Sequence, residues 1–212
     1  IGLKGKNRNY FEKHLLKNVR TALQGLIPPN NIQGGYGRFV IDIATFEKQE
    51  NKILDRLKKI FGLSNICSGV EVEQTIEAFN KSAEMLLADR KFSNICVRTK
   101  RANKIFQPSS PEVNGIVGEY LCKKFKVRAN LTQPDEIIFI EIVNKTSYVY
   151  LSKINGAGGL PAGISGKVVS LTSAGFDSPV ASYQMMKRGA QVIFVHFHSF
   201  PYVSRDSIDQ VQ

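Results

Sequence analysis

The amino-acid sequence predicts two α+β units followed by the start of an α/β unit with a Rossmann-like βαβ arrangement. Three observations lead to this fold class. Amphipathic helical stretches alternate with short strand-like stretches up to residue 153. A glycine-rich segment covers residues 155–166, and such a segment is too flexible for a regular element. After it, two almost uninterrupted apolar strands flank one helix, which is typical of a parallel pair covered on both faces.

The first α+β unit is predicted over residues 1–72. It opens with an amphipathic helix over residues 7–26, which Pro28 and Pro29 end. The further elements predicted here are a strand, a helix and a second strand, over residues 38–43, 49–61 and 66–72. Since a helix opens the unit without a strand in front of it, we expect another strand before residue 1.

The second α+β unit is predicted over residues 73–154. Its predicted elements are a helix, a strand, a second helix and a hairpin, over residues 75–88, 94–99, 110–125 and 137–153. Ser110 is expected to cap the second helix, with Pro111 at the first helical position. The hairpin turns around Asn144, Lys145 and Thr146.

The glycine-rich residues 155–166 are predicted to be the interdomain linker, and residues 167–212 to begin the α/β unit. Strands over residues 167–172 and 191–197 enclose a helix over residues 177–188. Pro179 stands near the start of this helix and Gly189 directly after its end. Because two strands cannot complete a sheet, we expect the unit to be incomplete within residues 167–212.

Charge and composition indicate the class of partner. The chain has 29 Lys and Arg against 18 Asp and Glu, a formal net charge of +11, which favours polyanionic partners such as nucleic acid. No apolar run is long enough to span a bilayer and no secretory signal is present, so we expect a cytoplasmic protein without a membrane partner. The spacing of the three cysteines fits neither a zinc site nor a disulfide framework, and we expect partly buried thiols in a reducing compartment.

Basic residues cluster in two stretches that are candidates for binding RNA. A solvated basic face is the alternative interpretation for each stretch. Long cationic side chains suit a phosphate backbone, and a folded RNA is read mainly by its shape. The RNA-binding candidates are Lys4, Lys6, Arg8, Arg98, Lys100, Arg101 and Lys104.

The turn after the first apolar strand reads Ser-Ala-Gly-Phe-Asp-Ser over residues 173–178. Small residues let successive backbone N–H groups point at one anion, and the following helix adds unpaired N–H groups and its positive dipole end. Asp177 would repel a bare phosphate, so it is expected to orient the loop or to meet Mg²⁺ with a pyrophosphate. The alternative is an ordinary turn whose Ser and Asp cap the helix. No Walker loop is present, since no Lys follows the glycine.

Two histidines stand at the end of the second apolar strand. His196 and His198 lie on the same side of that strand because side chains alternate along it. Packing with one hydrogen bond is the favoured interpretation of this pair. A metal site is not expected, since no third ligand stands nearby in the sequence.

The pattern SxGxDS between an apolar strand and a helix resembles the PP-loop of ATP pyrophosphatases. The longer stretches TSAGFDSPVASYQMMKRG and VHFHS are similar to the tRNA 4-thiouridine synthetase (tRNA sulfurtransferase) family. Upstream, IGLKGKNR resembles the opening of that family's N-terminal ferredoxin-like domain. FSNICVRTKR, SPEVNGIVGEYL and NLTQPD resemble its THUMP domain.

This resemblance implies a ferredoxin-like domain, a THUMP RNA-binding domain and the first βαβ of a PP-loop domain. It implies ATP with Mg²⁺ as cofactors, tRNA as substrate, a cysteine desulfurase as persulfide donor, and a homodimer. Asp177 is the implied catalytic residue. The implied nucleotide contacts are Leu171, Thr172, Ser173, Ala174, Gly175, Phe176, Asp177, Ser178, His196 and Phe197.

The reaction implied by the resemblance is adenylation of a tRNA uridine at O4, followed by displacement of AMP by persulfide sulfur. Whether thiamine biosynthesis draws on the same sulfur stays open. Since the family's sulfur-handling cysteines come later in the sequence, we expect these 212 residues to bind RNA without completing thiolation.

Ala174 departs from the family pattern, which has Gly at this position. If φ is positive there, Ala is strained by roughly 1–2 kcal/mol; if φ is negative, the change is harmless. Two alternatives therefore stay open: an RNA-binding module with a degenerate nucleotide site, or another PP-loop enzyme such as an amide ligase or a different tRNA modifier.

Overall fold

The structure is a computed structural model that describes residues 7–35, 37–202 and 205–211. The chain packs into two compact units. The first unit combines Ile1–Ile66 with Asn155–Gln212, and the second unit is the continuous segment Cys67–Ile154. The sequence-based domain boundaries remain predictions, but the first unit is built from two separate stretches of the chain.

The first stretch of the first unit contains two helices that pack through apolar stripes. Its elements are α1 (Arg8–Ala22), β1 (Ile32–Gly35), β2 (Arg38–Ile41), α2 (Glu50–Lys58) and β3 (Asn65–Ile66), with single 3-10 turns at Pro29–Asn31 and Glu47–Gln49. Leu15, Val19, Leu23 and Ile27 recur every four residues and are all buried. Full burial of such side chains stabilises a fold by about 1.5–3 kcal/mol each, so this stripe fixes α1 and the turn that follows it.

Three differences from the sequence prediction appear in this stretch. Helix α1 ends at Ala22 rather than at residue 26. Strand β1 was not predicted, because Gln33, Gly34 and Gly35 have little strand propensity; it forms by antiparallel pairing with β2, where Ile32 faces Ile41. The strand predicted over residues 66–72 is divided into β3 and a second strand that belongs to the other unit.

The second unit is a five-stranded sheet with two helices. Its elements are β4 (Gly69–Val72), α3 (Ile76–Leu87), β5 (Asn94–Arg101), α4 (Ser110–Phe125), β6 (Arg128–Ala129), β7 (Glu136–Val143) and β8 (Thr146–Tyr150). The two-residue strand β9 (Ile154–Asn155) follows at the boundary of the unit and is not part of this sheet. The strand order is β4-β8-β7-β5-β6, with β5 parallel to β7 and β7 antiparallel to β8. The predicted hairpin is confirmed, with Asn144 at φ 42° in a two-residue turn.

Both helices contribute to the core against the sheet. Ile138, Ile140 and Ile142 alternate along β7 and are each fully buried. The helical residues of this core recur at intervals of four, and they are Phe79, Ala83 and Leu87 of α3 and Val113, Val117 and Leu121 of α4. Alternate residues of β7 thus pack against residues spaced by four along the two helices, as the sequence pattern indicated.

The start of α4 lies one residue from its predicted position. Ser109, not Ser110, is the N-cap, and Pro111 therefore occupies the second helical position. A capping box forms because the Glu112 carboxylate accepts a 2.7 Å hydrogen bond from the Ser109 backbone N–H. The hydrogen bond with the Ser109 side chain, followed by this backbone bond, holds the pKa of Glu112 below its ordinary value. The Ser-Ser-Pro sequence offered two N-caps, and Glu112 selects the one three residues before it.

The glycine-rich segment is held against the first helix of its unit. The Ala162 carbonyl oxygen lies 3.1 Å from His14 Nε2 and 3.1 Å from Asn18 Nδ2, and the Gly62 N–H donates to the Gly158 carbonyl at 2.6 Å. Gly159 has φ 76°, and a Cβ there would lie 2.3 Å from the Lys187 carbonyl oxygen. The glycine is therefore required by a close backbone approach as well as by its conformation.

The last stretch of the first unit contains the predicted βαβ arrangement. It consists of β10 (Lys167–Leu171), α5 (Asp177–Lys187) and β11 (Gln191–Val195), followed by α6 (Asp206–Val211). Strands β10 and β11 are parallel, with Lys167 beside Gln191 and Leu171 beside Val195, which confirms the prediction. Within the described ranges, every helix is too short or too polar to cross a bilayer.

Candidate functional site

The candidate nucleotide loop, residues 173–178, lies at the carboxyl end of β10 and leads into α5. Leu171 is the last residue of β10, and the Thr172 N–H donates to the Val195 carbonyl at 2.8 Å. This bond ties the start of the loop to the end of β11. Ligands of open α/β sheets lie beyond the carboxyl ends of the strands, which is the position of this loop.

Two serine hydroxyls organise the interior of the loop. The Ser178 hydroxyl accepts from the Ser173 N–H at 3.0 Å and lies 3.3 Å from the Ser173 hydroxyl. The Ser173 hydroxyl in turn accepts from the Gly175 N–H at 3.3 Å. The backbone N–H groups of Ser173 and Gly175 thus donate to hydroxyl groups within the loop, which a ligand could replace as acceptors. An oxyanion can replace a hydroxyl as the acceptor of such N–H groups.

Ala174 has no left-handed strain in this loop. Among the described residues other than glycine, positive φ angles occur at Lys126 and Asn144, so Ala174 lies in the ordinary region. Gly175 also lacks a positive φ, and a Cβ built on it would meet the Ser173 hydroxyl at 3.5 Å, an ordinary contact. The protein therefore leaves open space at Gly175 that a methyl group would occupy.

Asp177 and Phe176 project from the loop. Phe176 is 92% exposed, and Asp177 is exposed as the first residue of α5. The carboxylate thus lies beside the helix N-terminus, where it is available to a cation carried by a phosphate ligand. Within the part of the chain that the structure describes, no cluster of His, Cys, Asp and Glu could hold a metal ion alone.

His196 follows β11 and faces the loop. Its Nδ1 lies 2.8 Å from the Thr172 carbonyl oxygen, so Nδ1 carries the hydrogen and donates it. Its Nε2 is buried and has no hydrogen-bond partner among the described residues. A buried polar atom without a partner is uncommon and calls for a ligand or another explanation. Phe197, 78% exposed, lies next to it.

Two residues that sequence reasoning missed stand behind the loop. Ser170 of β10 and Ser182 of α5 have their hydroxyl oxygens 2.7 Å apart. The signal that could have found Ser170 is a hydroxyl within the otherwise apolar strand Lys167–Leu171. Ser182 lacked such a signal, because a serine within a helix is usually exposed.

The basic candidates of the first unit lie at the start of the chain. Lys4 and Lys6 are outside the described residues. The Arg8 Nε donates to Glu12 at 2.7 Å, and both side chains are partly buried. The same Glu12 carboxylate accepts from the Gly37 N–H at 3.0 Å. Arg8 therefore helps to hold α1 to the β1–β2 hairpin, in addition to the RNA contact predicted for it.

The basic candidates of the second unit lie on and after β5. Arg98 and Lys100 are exposed two residues apart on one face of the strand, and Lys104 is exposed in the loop that follows. Arg101 differs from them, since its guanidinium donates to the carbonyls of Phe106 and, at 3.1 Å, Pro108. Its side chain shapes this loop.

Other basic residues of the same sequence stretch are located elsewhere in the second unit. Arg90 and Lys91 precede β5 and line a cavity of about 680 Å³ together with Phe92. Arg90 also pairs with Glu136 at 2.8 Å. The stretch that reads as one basic cluster in sequence is therefore divided between the two ends of β5.

The environments of the cysteines differ from the uniform partial burial predicted. Cys96 is buried, Cys122 is half-buried and Cys67 is exposed. The Cys67 sulfur nevertheless lies by the Tyr150 hydroxyl, and desolvation there raises the pKa of the Cys67 thiol. Burial also raises the pKa of the Cys122 thiol. Neither environment produces the lowered pKa of an activated thiol.

Family models match almost the whole chain in three consecutive pieces. The ThiI ferredoxin-like domain matches residues 1–67, the THUMP domain matches residues 73–152, and the thiamine biosynthesis protein (ThiI) model matches residues 163–212.

Curated relatives match over the full chain. A probable tRNA sulfurtransferase of Moorella thermoacetica is 39% identical over 212 residues, and one of Natranaerobius thermophilus is 36% identical over 220. Each alignment covers 100% of this chain and 53% of the relative. The chain thus spans about half the length of the curated relatives it matches.

Solved structures agree with these matches. A 4-thiouridine synthetase solved as an RNA complex with bound ATP is 32% identical with a TM-score of 0.82, covering 100% of this chain and 54% of its own. The protein PH1313 from Pyrococcus horikoshii is 28% identical with a TM-score of 0.84, covering 98% and 69%. The chain therefore belongs to the family that combines the ThiI ferredoxin-like, THUMP and ThiI domains, whose curated members are named tRNA sulfurtransferases.

Proposed function

We propose that this protein is an ATP-dependent tRNA sulfurtransferase that converts a tRNA uridine to 4-thiouridine. The observation that carries the proposal is the loop of residues 173–178 at the carboxyl end of β10, with two N–H groups directed at hydroxyl acceptors. Its relatives' names, and the ATP and RNA in the similar solved structure, support the same activity.

In the proposed reaction, the uridine O4 attacks the α-phosphate of ATP and pyrophosphate leaves. The bond from O4 to the α-phosphate turns a poor leaving group into AMP. The terminal sulfur of the persulfide then attacks C4 of the base, and AMP departs with the oxygen. A second thiol attacks the inner sulfur of the resulting C4–S–S linkage, so that a disulfide forms and the outer sulfur stays on C4 as 4-thiouridine. Negative charge develops on the departing pyrophosphate, so preorganised N–H donors accelerate the first step.

The residues of the loop have separate parts in this proposal. The N–H groups of Ser173 and Gly175 and the hydroxyls of Ser173 and Ser178 bind the β- and γ-phosphates. Ala174 and Phe176 contribute backbone to the same turn. Leu171, Thr172, His196 and Phe197 bind the adenosine part at the ends of the two strands. The buried Nε2 of His196 gives this end of the site an acceptor that needs a donor.

Mg²⁺ fits the site as a partner of the phosphates. The exposed Asp177 carboxylate offers a hard oxygen ligand at the mouth of the loop. Since no cluster of protein ligands suited to a metal is found within the described residues, phosphate oxygens would supply most of its coordination. When bound, the ion would neutralise charge on the phosphates, and Asp177 would orient it.

The basic residues supply the proposed RNA contacts. Arg98, Lys100 and Lys104 are exposed on the second unit and suit a phosphate backbone. Arg8 and, outside the described residues, Lys4 and Lys6 are the proposed RNA contacts of the first unit. We assign Arg101 to shaping the loop after β5 because its guanidinium is engaged there.

The sulfur source in this proposal is a persulfide from a cysteine desulfurase. The raised pKa values of Cys67 and Cys122 make these thiols poor sulfur carriers. We therefore expect residues 1–212 to bind tRNA and ATP without making 4-thiouridine. The proposal also includes a homodimer and a location in the cytoplasm.

The test combines three measurements on the purified protein: filter binding of unmodified tRNA, titration with nucleotide and an assay of thiolation. Calorimetric titration with ATP and Mg²⁺ is expected to show binding at sub-millimolar concentration, and GTP is expected to bind more weakly. Incubation with unmodified tRNA, ATP, cysteine and a desulfurase, followed by nucleoside chromatography, is expected to show no 4-thiouridine from these 212 residues. Absence of ATP binding at millimolar concentration would favour an RNA-binding module, and absence of tRNA binding would favour an amide ligase.

A further inference from the structure

We propose that Ser182 is a positioning residue for the nucleotide loop, acting together with Ser170. The proposal rests on the function proposed above, because it concerns how the same loop is held for ATP. The two serines lie behind the loop rather than in it, and neither is expected to touch the nucleotide.

The direction of the hydrogen bonds between these serines follows from their geometry. The Ser182 hydroxyl donates to the Ser178 carbonyl at 2.7 Å, which uses its single hydrogen. The Ser170 oxygen lies 2.7 Å from the Ser182 oxygen. Ser170 must therefore donate to Ser182, and the chain of donation runs from β10 through Ser182 to the first turn of α5.

This chain of hydrogen bonds fastens both ends of the loop together. Ser170 precedes the segment of residues 171–177 and Ser178 follows it. The Ser182 bond holds the backbone of Ser178, and the Ser178 hydroxyl contacts the N–H and the carbonyl of Ser173 at 3.0 Å and 3.4 Å. Fixing Ser178 thereby fixes the orientation of the group that organises the loop, so less ordering remains when ATP binds.

The burial of the Ser170 and Ser182 hydroxyls indicates that their hydrogen bond is not an incidental surface contact. Ser182 is 2% exposed, and one bond to the carbonyl four residues earlier would already satisfy a helical serine. Ser170 is partly buried in β10, where a hydroxyl costs free energy unless it is bonded. An apolar residue at position 170 would pack there without that cost, so the hydroxyl pair is explained by the connection it makes.

The experiment is a double-mutant cycle on Ser170→Ala and Ser182→Ala. Affinity for ATP is measured by calorimetry and stability by urea unfolding. We expect each single variant to bind ATP about three- to tenfold more weakly, the usual effect of one hydrogen bond. We expect the double variant to bind no more weakly than either single one, because both remove the same connection.

Two further variants complete the design. Ser182→Thr is expected to keep the ATP affinity of the unaltered protein, since a helical threonine hydroxyl can donate a hydrogen bond to the carbonyl four residues earlier. Ser147→Ala is the matched control, because Ser147 is fully buried in the second unit and its hydroxyl has no partner among the described residues. It should change neither ATP affinity nor stability appreciably.

The outcomes distinguish this inference from the proposed function. Lack of ATP binding by the unaltered protein would contradict the proposed function itself. Unchanged ATP affinity with lowered stability in both variants, or additive losses in the double variant, would overturn the positioning role. If Ser182→Ala does not fold, the test rests on Ser170→Ala and Ser182→Thr. Weak ATP binding by Ser170→Ala together with near-normal ATP binding by Ser182→Thr supports the inference. Any other result rejects it.

Discussion

At the scale of single residues, Gly175 is a glycine at a position where the folded protein itself does not require one. Neither its φ angle nor its neighbours demand a glycine, since a Cβ there would meet only the Ser173 hydroxyl at an ordinary 3.5 Å. Gly159 is different, because a Cβ on it would lie 2.3 Å from a carbonyl oxygen. We attribute the absence of a side chain at Gly175 to the ATP of the proposed function, whose phosphates would approach the backbone closely there.

Gly175→Ala is expected to weaken ATP binding at least about tenfold, because the added methyl occupies space that the phosphates need. The free energy of unfolding should change by less than about 0.5 kcal/mol, since the folded backbone accepts alanine there. Calorimetric titration and urea unfolding measure the two quantities on the same sample.

Gly115→Ala provides the control for this substitution. Gly115 is an exposed helical residue of α4, and a Cβ there meets nothing within 4 Å. The change should raise stability by up to about 1 kcal/mol through helix propensity and leave ATP affinity unaltered. Equal ATP affinity in the Gly175→Ala and Gly115→Ala variants would contradict the close approach of phosphates to the loop.

The helices and strands show which sequence patterns carry enough information. The βαβ arrangement of β10, α5 and β11 was predictable because two apolar runs enclose a helix with a clear end at Gly189. The β7–β8 hairpin was predictable because two strand-like stretches, residues 137–143 and 147–153, lie on either side of Asn144. Strand β1 was not, because its glycines gain strand structure only through pairing with β2.

The site was predictable to the extent that its residues are adjacent in sequence. Residues 173–178 form one turn, so their types and order indicated a loop that binds phosphate. The bonds of Ser170 and Ser182 depend on how β10 packs against α5, which no local pattern encodes. The separation of Arg101 from its neighbours likewise depends on the fold of residues 102–109, whose carbonyls receive its hydrogen bonds.

Helices α3 and α4 are linked by a polar contact that depends on pH. Glu84 of α3 accepts hydrogen bonds from Lys124 at 2.8 Å and from the Tyr120 hydroxyl at 2.6 Å, both on α4. The bond from Lys124, followed by that from Tyr120, lowers the pKa of Glu84 from its ordinary 4.5. A lowered pKa in the folded state stabilises the fold above pH 4.5, and this contribution is lost as pH falls through the folded-state value.

Glu84→Gln should therefore lower the free energy of unfolding at neutral pH. It should also make this free energy fall less steeply as the pH is lowered. Urea unfolding between about pH 7 and about pH 3 measures the difference between variant and unaltered protein, which should shrink as pH falls below the ordinary glutamate value. Glu73→Gln, at an exposed glutamate before α3, is the control and should keep the original pH profile. A difference in the free energy of unfolding that stays constant at every pH would show that the charge of Glu84 does not contribute to stability.

At the scale of the whole molecule, a formal net charge of +11 favours any polyanion, so a local RNA surface must be distinguished from general attraction. Arg98, Lys100 and Lys104 are the exposed cations that we assign to RNA phosphates. Arg101 is unsuitable for this test, because removing its guanidinium would also release the loop that it holds.

Changing Arg98, Lys100 and Lys104 to glutamine should weaken tRNA binding and flatten its dependence on salt. The slope of log K against log salt is expected to fall by roughly 2–3, since each phosphate that is no longer neutralised removes about 0.7–0.9 from it. Filter binding over a salt series measures this slope.

Removing the same charge from the exposed Lys48, Lys52 and Lys59 of the first unit is the control. It should change the slope by less than about one. Equal slopes for the two triple variants would mean that only total charge matters.

The division of the first unit into two stretches has a consequence for how the protein is made. On the ribosome, Ile1–Ile66 emerges before Asn155–Gln212 and at that stage lacks the packing that the later stretch supplies, including the contacts of His14 and Asn18 with Ala162. The intervening Cys67–Ile154 is uninterrupted and can reach its native state during translation. The earlier stretch thus gains its full packing only after residues 155–212 have been made, and its Leu15 and Val19 side chains, which are buried in the folded unit, must avoid aggregation until then.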